Sequence, residues 1–209
     1  MSAVVPTGFE AYCRVFHPAL RFSNGHGTGV RWEEIAREVG VELQGDTAWQ
    51  DLASGGAAST RLWNQAPRTG SLSPKEATAL VDLLRPATTK GEGCTFAVWD
   101  GYGGSELDRQ WPGAARLGLP GRTYVLLKGP IEAATVSFDV PEPGLPTFHQ
   151  SANIWWPRDV AWCVATEIDL CWTYVGGSRQ CIELVIADPR LEALEVQGDD
   201  PVPEPPIGR

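Results

Sequence analysis

Four of the nine tryptophans fall in one stretch, Asn153 to Ser178 (NIWWPRDVAWCVATEIDLCWTYVGGS), together with two of the five cysteines. Indoles and β-branched residues suit a pleated surface and carry the largest apolar areas a side chain can bury. The stretch therefore reads as sheet that builds the core. It ends at Gly176-Gly177-Ser178, a break before a helix-like segment. Trp162, Val164, Thr166, Ile168, Leu170, Trp172 and Tyr174 share one parity. That fits a single long strand over 162–174, with Glu167 and Asp169 on its other face. The alternative is a turn at Thr166–Asp169 between two short strands that pair. Unbroken alternation favours the single strand.

The rest of the chain divides at its turn signals. FEAYCRVFH (9–17) alternates and stops at Pro18, a strand. SNGHGTG (23–29) reads as a flexible loop. In RWEEIAREVG, Trp32, Ile35, Ala36 and Val39 share one helical face and Gly40 supplies the stop. Residues 46–64 read as a short helix and loop. SPKEATALVDLLRP is the clearest helix, with Ser73 as N-cap, Pro74 at the first position and Glu76 closing a capping box. CTFAVWD (94–100), RTYVLLKGP (122–130) and ATVSFDV (134–140) read as strands, and PEPGLP (141–146) as a connection. Ser178 caps a helix over CIELVIA, and Asp188-Pro189 opens a final turn carrying Leu191 and Leu194. Helices early and strands later predict an α+β fold: a mostly antiparallel sheet built from the C-terminal two-thirds, packed against a few helices. Residues 1–197 form one domain, and the Pro-rich tail 198–209 is expected to be disordered or extended.

The 209 residues, 43% hydrophobic and 21% charged, suffice for a sizeable core. No apolar run approaches the roughly 18 residues needed to span a bilayer, so no membrane association is expected. MSAVVPTGFEAY lacks a basic start and a continuous apolar stretch, so the expected location is cytoplasmic. The formal net charge is −9, and the basic residues are scattered singly. Phosphate neutralisation is disfavoured, so no nucleic acid is expected; an acidic surface suits a basic protein partner.

Glu167 with Asp169 is the strongest catalytic pair in the chain. Two apart on a strand, they point the same way with about 7 Å between their Cα atoms. Such a pair, with Arg158 or Arg179 orienting an anionic group, could serve as acid and base in a hydrolase, or could offer oxygen ligands to a divalent cation. It could equally be solvated, or be paired with Arg158 or Arg179. Trp155 and Trp156 face opposite ways on a strand, so one of them is a candidate exposed binding anchor; Trp99 and Trp111 could line the same groove. Gly176, Gly177 and Ser178 form the better of two glycine-rich turns that could hold a phosphate at a helix N-terminus. The other is Gly25 to Gly29. Neither matches a complete nucleotide-binding motif, and no cofactor is expected.

His17, His26 and His149 have no metal-ligand spacing, so no metal is expected. Cys13, Cys94, Cys163, Cys171 and Cys181 lack CxxC spacing and have apolar neighbours, which marks buried, inert thiols. A Cys163–Cys171 redox pair requires the segment to fold back as a hairpin. Ser105 in DGYGGSELD lacks the second glycine of a nucleophile elbow.

The blocks FEAYCRVFHPA, CTFAVWDGYG, NIWWPRDVAWCVATEIDLCWTYVGGS and ADPRLEALE together are similar to a family of actinobacterial proteins with no assigned activity. The resemblance implies a compact cytosolic protein and carries over no catalytic residue. In size and acidity the chain also resembles bacterial immunity proteins, which neutralise a toxin by binding it. The expected function is a non-catalytic binding module. The alternative is a small hydrolase-type enzyme using Glu167 and Asp169.

Overall fold

A computed structural model describes residues 4–56, 59–88, 93–101, 107–138 and 149–205, with the side chains of 59, 60, 108 and 109 not described. In chain order its elements are β1 (Ala11–Phe16), β2 (Ala19–Ser23), β3 (His26–Val30), α1 (Trp32–Val39), α2 (Trp49–Ala53), α3 (Ser59–Leu62) and α4 (Pro74–Leu84). Then come β4 (Cys94–Trp99), α5 (Leu107–Gln110), β5 (Arg116–Leu119), β6 (Arg122–Gly129), β7 (Ile154–Pro157), β8 (Cys163–Ala165), β9 (Trp172–Gly177), α6 (Arg179–Ala187) and β10 (Ala193–Val196).

One eight-stranded sheet runs β10-β1-β9-β8-β7-β4-β6-β5, with each neighbouring pair antiparallel. This is the α+β architecture the sequence predicts. The N-terminal strand β1 is threaded between β9 and β10, so the C-terminal two-thirds supply every strand of the sheet but one. Period-two alternation splits the core into two layers. Cys13, Val15, Phe96, Val98, Trp155, Trp162, Val164 and Val175 form one layer with Leu80 and Leu84 of α4 and Ile182 and Val185 of α6. Phe16, Trp172, Tyr174, Cys163, Ile154 and Ala97 form the other, with Trp32 of α1 and Trp49 of α2.

The indole-rich stretch is not one strand. β8 ends at Ala165 and β9 begins at Trp172, the two pairing with Val164 opposite Val175. Trp162 lies in the first layer and Trp172 in the second, which a continuous strand could not achieve. The turn is held by Leu170 N donating to Glu167 O at 3.1 Å and by Gly70 N donating to Leu170 O at 2.9 Å. Gly70 sits at φ +70°, and a Cβ on it would lie 2.5 Å from Ile168 O. That close approach of backbone from outside the stretch is invisible to alternation within it.

Three other expectations change. SNGHGTG is a β-hairpin: Asn24 and Gly25, at φ 52° and 81°, make the tight turn between β2 and β3. The strand expected over ATVSFDV (134–140) is absent among the described residues: its first two residues end a 3₁₀ turn, Ile131–Thr135, residues 136–138 have neither helix nor strand, and the last two lie outside those described. The turn after Asp188-Pro189 continues into β10. PEPGLP lies outside the described residues. Up to Pro205 the tail has neither helix nor strand, yet its Val202 packs on the second layer.

The capping box of α4 forms as expected, with Glu76 N donating to Ser73 Oγ and Ser73 N to Glu76 Oε2, both at 3.3 Å. Helix α1 lacks a local cap. Its first amides, on Trp32 and Glu33, each donate to the Glu192 carboxylate at 2.7 Å. A residue beside β10 thus fixes where α1 begins.

Candidate functional site

Arg122 stands at the start of β6, after the Pro120-Gly121 turn. Its Nε donates to Glu167 Oε1 at 3.3 Å and its Nη2 to Asp169 Oδ2 at 2.8 Å. Asp169 N donates to Glu167 Oε2 at 2.7 Å, and the guanidinium carbon lies 5.5 Å from the Trp99 ring centroid. Both predicted carboxylates therefore meet one cation, on a turn where Asp169 is 62% exposed. Proton transfer needs a carboxylate free to accept or release a proton in a water-poor site. Here both acids are engaged in ion pairs with Arg122, in contact with solvent.

Arg158 does not join them. Ile154 pairs with Ala165 near the carboxylate turn, whereas Arg158 follows Pro157 at the other end of β7, exposed to solvent. Arg179 is also committed elsewhere, to Glu195 at 3.0 Å. Arg122 is 45 residues from Glu167 in sequence, and no local signal linked them.

The tryptophan pair faces opposite ways, as alternation requires. Trp155 is 2% exposed in the first layer, edge-on to Trp162 with centroids 5.2 Å apart. Trp156 is half-buried against the second layer. Neither is an exposed anchor; Trp111, at 36%, is the exposed indole.

The Gly176-Gly177-Ser178 turn is filled by the chain itself. Ser178 Oγ accepts from Cys181 N at 3.3 Å, and Arg179 N donates to the Glu10 carboxylate at 3.1 Å. A carboxylate already occupies the position a phosphate would take. The glycine at 176 serves packing, because a Cβ there would meet Phe9 at 2.5 Å and Tyr12 at 2.9 Å.

All five cysteines are unpaired and buried. Cys163 faces Gly176 across the hairpin, and no Cys163–Cys171 bond forms. Burial pushes both thiols up to about 12, and Cys94 and Cys181 up to about 11, away from the thiolate that reacts. Among the described residues no three His, Cys, Asp or Glu side chains converge to hold a metal ion. His17 is buried between Arg68 O at 2.8 Å and Thr173 Oγ1 at 2.9 Å. His26 lies exposed in β3, and Ser105 lies outside the described residues.

The sequence reading passed over Arg14 of β1, which is fully buried. Its Nη1 donates to Gly45 O at 2.8 Å and Thr47 O at 2.9 Å. Its guanidinium carbon lies 3.8, 4.6 and 5.4 Å from the ring centroids of Trp172, Phe16 and Trp32. Desolvation, the largest cause, lowers its pKa to about 10, while Tyr174, Cys171 and Asp46 raise it. This side chain pins the Gly45–Thr47 loop to the core.

Among the described residues, three surface recesses are well defined. One, of about 460 Å³, is lined by Cys94, Ile131 and the exposed Arg85–Glu132 pair. The other two flank β10. That of about 490 Å³ lies between α1, the chain after it, and α6. That of about 260 Å³ is bordered by Asp46, Glu195 and Asp200. Neither Glu167 nor Asp169 lines any of them. Among the described residues no helix is long and apolar enough to cross a membrane. No family model, curated protein or solved structure matches the chain.

Proposed function

We propose that this chain is a non-catalytic binding module of the cytoplasm that recognises a basic protein partner, as bacterial immunity proteins do. The observation that carries this reading is the Arg122 clasp on Glu167 and Asp169: the strongest catalytic pair in the sequence is neutralised on an open turn. The other reactive groups have structural duties. The thiols are buried and unpaired, which suits a reducing compartment. The glycine turn is closed by Glu10, and His17 joins two backbone segments.

Charge gives the partner its sign. Residues 31–46 (RWEEIAREVGVELQGD) carry five acids and two arginines, within a chain of net charge −9. Such a surface attracts a basic protein and repels a second copy of itself.

The test compares the native chain with the Glu167→Gln/Asp169→Asn double variant. Neither is expected to hydrolyse nitrophenyl esters or glycosides above background. Immobilised native chain and double variant should capture the same basic protein from the source organism's lysate at low salt and release it at high salt. Turnover that disappears in the double variant would establish the hydrolase alternative.

A further inference from the structure

We infer that the outer edge of β10 docks an extended, basic segment of the partner protein, which adds there as a further strand. This rests on the binding-module reading and gives it a place on the molecule.

β10 is the last strand of the sheet on its side among the described residues. The phase of its ladder is fixed by Phe16 N donating to Glu192 O at 2.8 Å. In an antiparallel pair, bonded and non-bonded positions alternate. Residue 194, opposite Arg14, therefore also faces β1, and Ala193, opposite Val15, turns its N–H and C=O away from β1; Ala193 is 9% exposed and lines the recess described next. An outward-facing pair of this kind is what strand addition uses.

The space beside it suits a short guest. The recess of about 490 Å³ is bounded by Ala193 and Leu194, by Val41 and Leu43, and by Ile186 of α6. Val41 is 36% exposed and Leu43 and Leu194 are half-buried, an apolar floor for alternate side chains of an extended peptide. Towards Val196 the edge closes. Gly45 packs so tightly against β10 that a Cβ on it would lie 2.9 Å from Glu195 O and 2.7 Å from Val196. The open edge is therefore short, which fits a loop or tail of a partner better than a whole sheet.

The rim selects the charge of the guest. Glu42 is exposed there, and Glu34 and Glu38 are exposed on the adjoining helix. Glu192 is engaged with the first amides of α1. Of the two arginines that line the recess, Arg37 is paired with Glu33 at 3.0 Å and Arg31 donates to Pro189 O, so the carboxylates of Glu34 and Glu38 beside it carry the excess. A lysine- or arginine-bearing strand meets an excess of carboxylate, whereas a second copy would bring its own acids against these.

The test titrates the full isotope-labelled chain with an eight-residue acetylated peptide of alternating valine and lysine. The controls are its valine–glutamate counterpart and a form N-methylated at alternate residues. The valine–lysine peptide should shift the amide signals of Ala193, Leu194 and Val41–Leu43, and bind more weakly as salt rises. Methylation should weaken it about tenfold, the effect of losing one or two backbone hydrogen bonds. Ala193→Pro removes the outward donor and should weaken binding similarly; Val41→Lys, which leaves the sheet untouched, should do so by charge. No binding, equal binding of the glutamate peptide, or shifts confined to β5 or the Asp46 recess would overturn the β10 site. None of these would touch the binding-module reading, which is tested separately by capture from lysate and by turnover that disappears with the Glu167→Gln/Asp169→Asn change.

Discussion

The guanidinium of Arg14 lies across the indole of Trp172, its central carbon 3.8 Å from the ring centroid, with no exposure to solvent. Two carbonyls, of Gly45 and Thr47, and three aromatic faces take the place of water around this charge. Removing a buried polar partner leaves those carbonyls unsatisfied as well as leaving a void. Arg14→Ala should therefore lose about 3–5 kcal/mol in urea unfolding. Arg14→Met, which keeps the volume and removes the charge, should lose less than half as much. Equal losses in the two variants would mean that the cation and its two carbonyl bonds, not packing, hold the Gly45–Thr47 loop.

His17 makes stability depend on pH. Arg68 O can only accept, so His17 Nδ1 carries the proton and Nε2 accepts from the Thr173 hydroxyl, which in turn stands 2.7 Å from that of Thr166. Burial, the largest cause, lowers the His17 pKa below its ordinary value; Arg14 and Arg68 lower it further, while Glu76 and the Arg68 carbonyl oppose. The unfolded chain therefore binds a proton that the folded chain refuses. The resulting stability is complete above about pH 6.5 and is lost as pH falls towards the folded pKa, by at most about 1.4 kcal/mol per unit. His149 acts in the same sense, through burial and then Arg68. Glu192, whose carboxyl is raised mainly by burial, acts in the opposite sense over the carboxylate range. The difference between native chain and His17→Gln isolates the first contribution: their unfolding free energies should converge as pH drops from 7 to 5. Parallel curves would show that His17 is not the titrating group.

What the sequence shows of this fold is what is local. The Ser73/Glu76 box, the Gly40 stop and the Ser178 cap sit within four residues of the helix ends they define, and each is where it was expected. The hairpin between β8 and β9 was passed over because Trp162 and Trp172 keep the same parity on either side of a turn of even length. The clue to that turn lies far away, at Gly70 pressed on Ile168. Candidate sites fared likewise. Glu167 and Asp169 do stand together, as their spacing implies, but the cation that silences them arrives from β6. Arg14 looked like one polar residue in an alternating strand, and only tertiary packing surrounds it with indoles. The Asn24-Gly25 dipeptide alone marks the turn between β2 and β3, the local signal that a reading of SNGHGTG as a loop leaves unused.

Gly176 and Gly177 are adjacent and should respond differently to the same change. A Cβ on Gly176 would lie 2.5 Å from Phe9 and 2.9 Å from Tyr12, whereas one on Gly177 would find Trp162 and Cys181 at 3.5 and 3.6 Å. Forcing a methyl into a filled space costs about 1–3 kcal/mol. Gly176→Ala should fall in that range in urea unfolding, and Gly177→Ala should stay within about 0.5 kcal/mol of the native chain. Had this turn been shaped to admit a phosphate, both glycines would tolerate a methyl without loss of stability.

The Arg122 clasp should matter little to folding. Its partners are 21% and 62% exposed, and ion pairs in contact with solvent contribute about 0–1 kcal/mol. Arg122→Gln should therefore shift the unfolding midpoint only slightly, with the loss shrinking as salt rises. It also frees two neighbouring carboxylates at once. Should the freed pair begin to hydrolyse an ester or glycoside, the native clasp would be the brake on an enzyme, and the binding-module reading would have to yield. Unchanged silence after Arg122→Gln would leave these acids as solvated bystanders on a recognition protein, because the cation paired with both would be gone without chemistry appearing.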